Sequence, residues 1–585
     1  TFLFGSILGF ALSTTARIIV SDDVPLIGPS FLSNFDMSNS KFIGNAKTAL
    51  PDLVDKLFES GDLDRKDLAF TIDVYSAATN DTIFSYSHVG EKSKETLTSG
   101  ELNDNTISRI GSVTKLFTVY SIIAQAGMGV FSDPITKYLP ELKKNSSSNP
   151  LDSVRWEDIT VGALAAQQAG TGGINDFFSA YTDPDDPEAA VYKSEGQCKT
   201  IFLVLSRLMN GIITDLLAFF RDKRLPVIAP YHSVIYSDGG FAILGQVLAR
   251  LSGKNVTETF EETLWKPLGM NSTSTQMPKG SNLNVIDRTT VANRSSLKHT
   301  AWGTDIEVVA STGSIYSNTA DLRKAGLSIL NSELLSGPTI SEWMKPRSGT
   351  GTLVELVGAP WEISRLEVPV TPGSNRTRVS DLYTKAGGNI DYTAIFALSP
   401  DQGIGYSILI AGETASSARW PLRNLVGETF ISAAENAAAE NVDQNVAGTF
   451  VDEGKPGNRI TLSVERDHPG LSLKSFLLEG EDARNNSTHY RLYPTGLNSL
   501  SRSLSALYRT EGTMRIAHRM VKPGIEPVEP RAAVEGGNGG LFDDSFMWMN
   551  LDSNGPVDLF VFTLVDGKVT DIEYPLKDVT MKRVK

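Results

Sequence analysis

The chain has 585 residues, of which 41% are hydrophobic and 21% charged, and its net charge is −14. That composition is globular and long enough for roughly two to four domains, and its acidic balance offers no basic field to nucleic acid. One cysteine, Cys198, excludes an intramolecular disulfide and a cysteine-built zinc cluster.

The first residues, TFLFGSILGFALSTTA, form a short apolar stretch followed by small side chains. This suits the apolar core and cleavage zone of a signal peptide. The stretch is too short to span a bilayer, and no other apolar run reaches the roughly 18 residues a spanning helix needs, so no stable membrane insertion is expected. Eight Asn-x-Ser/Thr sequons occur, at Asn80, Asn145, Asn255, Asn271, Asn293, Asn375, Asn485 and Asn486. Roughly five would arise by chance, and the excess favours a secreted, glycosylated protein. Residues 1–45 are read as a leader remnant and a wrapping arm.

Residues 46–440 read as one large domain. ALPDLVDKLFESG has helical spacing, with Leu53, Leu57 and Phe58 on one side. AFTIDVYSA and DTIFSYSHV read as two strands joined by a turn at Thr79–Asp81. GSVTKLFTVYSIIAQAG reads as a buried helix, with Ser112 at its start and Gly127 near its stop. A helical region follows to about residue 270. It includes a stripe of Ile201, Leu205, Leu208, Ile212 and Leu216, which reads as core or lid packing because Arg207 and Asp215 interrupt the run. FAILGQVLARLSG is a further amphipathic helix, and residues 272–300 and 345–380 read as loops. YTAIFALSP and IGYSILIAG read as long strands joined at Asp401–Gln402–Gly403. A last helix is expected from about Pro421 to Ala439, with AAENAAAENVDQN as its tail and a linker. After residue 445 short alternating stretches such as RITLSVE and VDLFVFTLVDG dominate, so 446–585 reads as a separate all-β domain. Its EGGNGG at 535–540 reads as a flexible loop.

The six histidines show no pair at metal-ligand spacing, so no metal site is expected. There is no Gly-x-Ser-x-Gly elbow and no phosphate-binding Gly-x-x-x-x-Gly-Lys-Ser/Thr loop. Ser112-Val113-Thr114-Lys115 is different. On a helix, positions i and i+3 share a face, so the lysine can reach the serine hydroxyl. A serine at the helix start also lies at the positive end of the dipole. Apolar neighbours would desolvate the ammonium and lower its pKa, which suits a base. Alone, this pattern fits a helix-capping serine and a snorkelling lysine better than a catalytic pair. Two further groups follow in order: Tyr236-Ser237-Asp238 before a helix, and Lys385-Ala386-Gly387-Gly388 before a strand.

In this order the three groups resemble the serine β-lactamase and penicillin-binding-protein superfamily, in its class-C-like branch of esterases and peptidases. The chain looks most like fungal secreted β-lactamase-related proteins with an added C-terminal β-domain. The resemblance covers roughly residues 65–435 and extends to FSDPITKYLPEL, ITVGALAAQQAGTGG, WKPLGMNST and ASTGSIYSNTADLRK. It implies an α/β (α+β) β-lactamase/transpeptidase-like domain, with an antiparallel sheet flanked by helices and a mainly helical region at about 116–310, followed by the small all-β domain. It implies Ser112 as the acylated nucleophile, with Lys115 and Tyr236 sharing the base work. Lys385 would anchor a substrate carboxylate or support the proton network. The N–H groups of Ser112 and Gly388 would form the oxyanion hole, and Gly387 and Gly388 would let substrate lie against the strand edge. No cofactor or metal is implied, and the partner would be a small-molecule or peptide acyl substrate.

Two positions depart from the pattern. Gln168 stands where the family commonly has histidine, and a packing change is expected. Asp238 stands where the family has asparagine, and its carboxylate should hold Lys115 protonated and pass the base role toward Tyr236. The reading is a serine hydrolase acting on esters, amides or peptides. A non-catalytic binding protein on the same fold is the alternative, while substrate identity and oligomeric state stay open.

Overall fold

The computed structural model describes residues 28–584, apart from 144–148, 150, 175–211, 281–282, 290–299, 304, 306–308, 485–489, 501–507, 510 and 522–555. The leader, Cys198, Ile201, Leu205, Leu208 and the 535–540 loop lie outside the described residues. So do the sequon residues Asn145, Asn293, Asn485 and Asn486, while Asn80, Asn255, Asn271 and Asn375 are exposed.

Helix α1 spans Lys41–Ser60, and the Ser40 side chain caps its first turn. The hairpin follows as β1, Ala69–Ser76, and β2, Asp81–Val89. A two-residue strand β3, Ser108–Arg109, leads to α2, Thr114–Ala126. Helices α3, Ile212–Asp222, and α4, Asp238–Ser252, belong to the helical region. Strand β4, Tyr316–Ser317, pairs with β3, and α5, Thr319–Leu330, and α6, Gly337–Trp343, come next. Residues 345–380, expected as loops, hold β5, Ser348–Gly349, β6, Glu355–Val357, β7, Glu362–Pro369, and the start of β8, Thr377–Asn389. Strands β9, Tyr392–Ser399, and β10, Ile404–Ala411, complete an antiparallel sheet ordered β2-β1-β10-β9-β8-β7-β6-β5. Strands β1, β9 and β10 are buried at every position, because both faces of the sheet are covered. Ile395, Ile408 and Ile410 face α1 and the last helix, whereas Phe396 and Leu398 face the helical region.

That last helix, α7, spans Ala415–Asn445 and contains Pro421 in its second turn. The expected linker is therefore helix. Its Ala-rich end is buried: Ala438, Ala439 and Val442 pack into the core of the C-terminal domain. This domain contains β11, Gly448–Val451, β12, Arg459–Val464, β13, Leu471–Leu478, β14, Glu481–Asp482, β15, Arg491–Asn498, β16, Thr513–Val521, β17, Leu559–Val565, β18, Lys568–Tyr574, and β19, Val579–Arg583. A β12–β13 pairing closes the sheet on itself and leaves the two-residue β14 at an edge. Phe31 and Leu32 of the N-terminal arm also enter this core. Arg466 donates to the Gly373 carbonyl at 3.0 Å and Tyr508 donates to the Pro400 carbonyl, so the barrel is docked on the eight-stranded sheet. A cavity of about 140 Å³ lies at this seam, lined by Ile329, Met344, Tyr383 and Tyr508 among others, and none of the motif residues lines it.

Candidate active site

Ser112 lies in a 3₁₀ turn, Gly111–Val113, directly before α2. The expected helix thus begins one short turn later than Ser112. Two close backbone approaches fix this turn. Gly111 has φ +51°, and a Cβ there would lie 2.6 Å from the Gly388 nitrogen. A Cβ on Gly387 would lie 1.9 Å from the Ile110 carbonyl oxygen and 2.9 Å from the Ser112 nitrogen. Only glycine permits that contact. It sets the backbone of Ser112 against that of Gly388, the arrangement in which two N–H groups can serve one oxyanion.

Lys115 is fully buried one turn on. Its Nζ donates to Ser112 Oγ at 3.0 Å, to Asp238 Oδ1 at 2.6 Å and to the Thr312 carbonyl at 2.9 Å. All three ammonium protons have acceptors. Thr312 sits in the short helix Ala310–Gly313, within the ASTGSIYSN stretch, and Ser311 there donates to the Phe241 carbonyl at 2.8 Å. That segment braces α2 against α4. Burial pulls the Lys115 pKa below the ordinary lysine range, and the Asp238 carboxylate offsets only part of the fall.

Tyr236 precedes α4 in an extended segment. Gln167 holds the chain on both sides of it: its carbonyl accepts from the Ile235 N–H and its Oε1 from the Ser237 N–H, each at 2.8 Å. Gln167 does so from a left-handed backbone, φ +61°. Sequence reading singled out its neighbour Gln168 instead, whose amide reaches only the Arg347 carbonyl at 3.4 Å. The Tyr236 ring lies between two ammonium groups, 5.0 Å from Lys115 Nζ and 5.4 Å from Lys385 Nζ. Tyr236 as a whole is 48% exposed, while its hydroxyl is desolvated. Burial pushes its pKa up to about 12, against the pull of Lys385. A lowered lysine beside a raised tyrosine runs against the expected transfer of the base role to Tyr236. Burial of Lys115 outweighs the carboxylate that was to keep it charged.

Lys385 lies on β8 and is 1% exposed. Its Nζ donates to Glu362 Oε1 at 2.5 Å and to the Ala386 carbonyl at 2.6 Å. Glu362 Oε2 accepts the Ala386 N–H at 2.8 Å. A carboxylate of the protein therefore occupies the ammonium that was expected to anchor a substrate carboxylate, and the second expectation, support of the proton network, fits the ring contact with Tyr236. Glu362 comes from β7, where it faces Thr384 across the β7–β8 ladder. Sequence reading missed it because that stretch read as a loop. Arg419 of α7 was also missed. It lies on the opposite face of β8, donating to the Gly387 carbonyl at 3.0 Å and to Thr393 Oγ1 at 3.3 Å. The structure thus brings Ser112, Lys115, Tyr236, Asp238, Lys385, Gly387 and Gly388 into one cleft. Among the described residues no group of three or more His, Cys, Asp or Glu side chains could hold a metal, and no helix is long and apolar enough to cross a membrane.

Comparison with known proteins agrees with this architecture. A family model described as "Beta-lactamase" matches residues 79–427, and one described as "Beta-lactamase-like-like, C-terminal domain" matches residues 438–585. The chain is 26% identical over 592 residues to the "Beta-lactamase-like protein" of Arthroderma benhamiae, covering 92% of each. It is 26% identical over 471 residues to "Probable hydrolase clz13" of Cochliobolus lunatus, covering 74% of this chain and 72% of that one. Among solved structures, the octameric penicillin-binding protein homologue from Pyrococcus abyssi is 16% identical, with a TM-score of 0.48 over 91% of this chain and 99% of that one. The first family model takes in the Ser112 turn, the tyrosine segment and β8, and spans more than half of the sequence: the chain belongs to the β-lactamase family, a family of hydrolases, and carries a β-barrel domain after the β-lactamase-like fold.

Proposed function

We propose that the protein is a serine hydrolase that acts on ester, amide or peptide bonds through an acyl-serine intermediate. The observation that carries this reading is the serine–lysine pair: Lys115 Nζ lies 3.0 Å from Ser112 Oγ, with the Tyr236 ring 5.0 Å from the same Nζ. A nucleophile within hydrogen-bond reach of its base is the geometry that activation requires.

In acylation, Ser112 Oγ attacks the substrate carbonyl carbon and its proton passes to the Lys115–Tyr236 pair. The carbonyl oxygen becomes an oxyanion facing the Ser112 and Gly388 N–H groups. Collapse breaks the bond to the leaving group, which takes the proton from the pair. A water then attacks the acyl ester, gives a proton to the pair, and releases the acid as Ser112 regains its own. Lys115 is the favoured base once it has lost a proton, and burial eases that loss. Asp238 and Thr312 orient it. Lys385 acts on Tyr236, holding its pKa lower than burial alone would set it. Every residue in these steps precedes the C-terminal barrel, which is read as contributing little to the chemistry.

Ser112→Ala is the test. A fluorophosphonate probe should label the wild type at Ser112 and leave the variant unlabelled, and hydrolysis of p-nitrophenyl esters, D-amino-acid amides and a chromogenic β-lactam should vanish with it. Labelling that persists on another residue in the variant removes the assignment.

A further inference from the structure

The charges of the cleft are sorted by depth. Lys115 and Lys385 are 0% and 1% exposed, while the carboxylates paired with them, Asp238 and Glu362, are 42% and 37% exposed. The cations lie behind and the anions lie in front. Lys115 has no proton left for a ligand, since Ser112, Asp238 and Thr312 accept all three. Lys385 gives two protons to Glu362 and the Ala386 carbonyl, and its Nζ lies 5.4 Å from the Tyr236 ring. Glu362 cannot swing aside cheaply. Its second oxygen holds the Ala386 N–H at 2.8 Å, so releasing Lys385 would also release a strand amide. The nearby cation Arg419 is half-buried on the other face of β8, held by the Gly387 carbonyl and Thr393.

An approaching substrate therefore meets carboxylate oxygens before it meets ammonium groups. We propose that Glu362 is a specificity-determining residue: it screens Lys385 and makes the cleft select acyl substrates with no carboxylate near the scissile bond, uncharged or amine-bearing, over anionic ones. A substrate carboxylate placed there would sit beside Glu362 with both charges partly desolvated, which is unfavourable, whereas an amine would gain a partner. This inference rests on the serine-hydrolase reading and names its substrate class.

The test compares matched esters that differ by one carboxylate: p-nitrophenyl butyrate against mono-p-nitrophenyl glutarate, and phenyl acetate against 3-carboxyphenyl acetate. The first pair carries the charge on the acyl side and the second on the leaving side. Wild-type kcat/KM should favour the uncharged ester by about tenfold or more in at least one pair, and the preference should shrink as salt rises from about 0.02 to 0.5 M. Glu362→Gln keeps an acceptor for the Ala386 N–H and removes the charge, so the same ratio should fall by about tenfold. Each ratio is taken within one protein, so a lower active fraction cancels. Should the variant fail to fold, the salt dependence of the wild type carries the test. Ratios near one in both pairs, a preference indifferent to salt, or an unchanged ratio in Glu362→Gln overturns the proposal. If no ester is hydrolysed and Ser112 takes no fluorophosphonate, the serine-hydrolase reading has failed first and this inference falls with it.

Discussion

Strand β8 carries a buried cation near each end, and the two are used in opposite ways. At one end Arg378 is 1% exposed and is saturated: Nε and one terminal nitrogen grip Glu435 at 2.7 and 2.8 Å, and the other reaches Asp401 at 2.9 Å. Glu435 is 3% exposed, so the cluster is closed to water. Burial alone would lower the Arg378 pKa, yet its two carboxylates raise it well above the usual value. At the other end Lys385 meets Tyr236, beyond which lies Lys115. There the carboxylates are open to solvent, the Lys115 pKa is lowered and the Tyr236 pKa is raised. A closed, fully paired cluster fixes its protons and serves the fold. An open one, with desolvation winning over pairing, leaves protons that can move. The exposure of the paired carboxylates separates the two clusters, since burial also raises the Asp401 pKa against the pull of Arg378.

Four substitutions probe that contrast. Lys115→Met should lower kcat/KM for an activated ester by about a thousandfold or more, near the upper range for a general base, with the melting temperature kept or raised because a buried charge is gone. Arg378→Met should do the reverse: it strands Glu435 and Asp401 in the interior and should cost about 3–5 kcal/mol in denaturant-measured stability, while the protein that remains folded keeps its kcat/KM. A rate loss in Arg378→Met matching that of Lys115→Met, at equal folded fraction, would erase the distinction. Tyr236→Phe keeps the ring between the lysines and removes only the hydroxyl. It should cost about a hundredfold in kcat/KM, and a near-silent change would assign the whole base role to Lys115.

Asp238→Asn is the smallest expected effect and the sharpest. Acylation needs neutral Lys115, so kcat/KM should rise with pH through the lysine pKa, which lies below 10.5 in the folded enzyme. Asp238 favours the charged form, so removing its charge lowers that pKa further. The rising limb should move to lower pH by about one unit. A limb that stays in place would show that Asp238 orients Lys115 without tuning it.

The chemistry-bearing residues were legible because each sits in a short local pattern. Ser112 and Lys115 are one helical turn apart, the glycines after Lys385 answer a close backbone approach, and the Tyr236 segment runs into an N-capped helix. The long buried strands β9 and β10 were equally legible, since both are continuous apolar runs. Residues 345–380 were not. Their strands are short or interrupted, and β7 alternates buried and half-exposed residues weakly, so no period announces it. The tail of α7 failed for a related reason: Ala, Glu and Asn over residues 433–445 look like a linker until two cores close around Ala434, Ala438 and Val442.

By itself the sequence determined the nucleophile turn, the order of the three motifs, the hairpin, the central strands and the change to β-structure after residue 445. Each of these is written in contacts or periodicities only a few residues long. The tertiary structure alone decided the depth and sign of the charges. Glu362 reaches Lys385 through strand register, Thr312 meets Lys115 from 197 residues away, and Gln167 clamps Tyr236 across about 70 residues of chain. The lowered pKa of Lys115 depends on how completely it is buried and on which oxygens surround it, and both are properties of packing between segments distant in the chain.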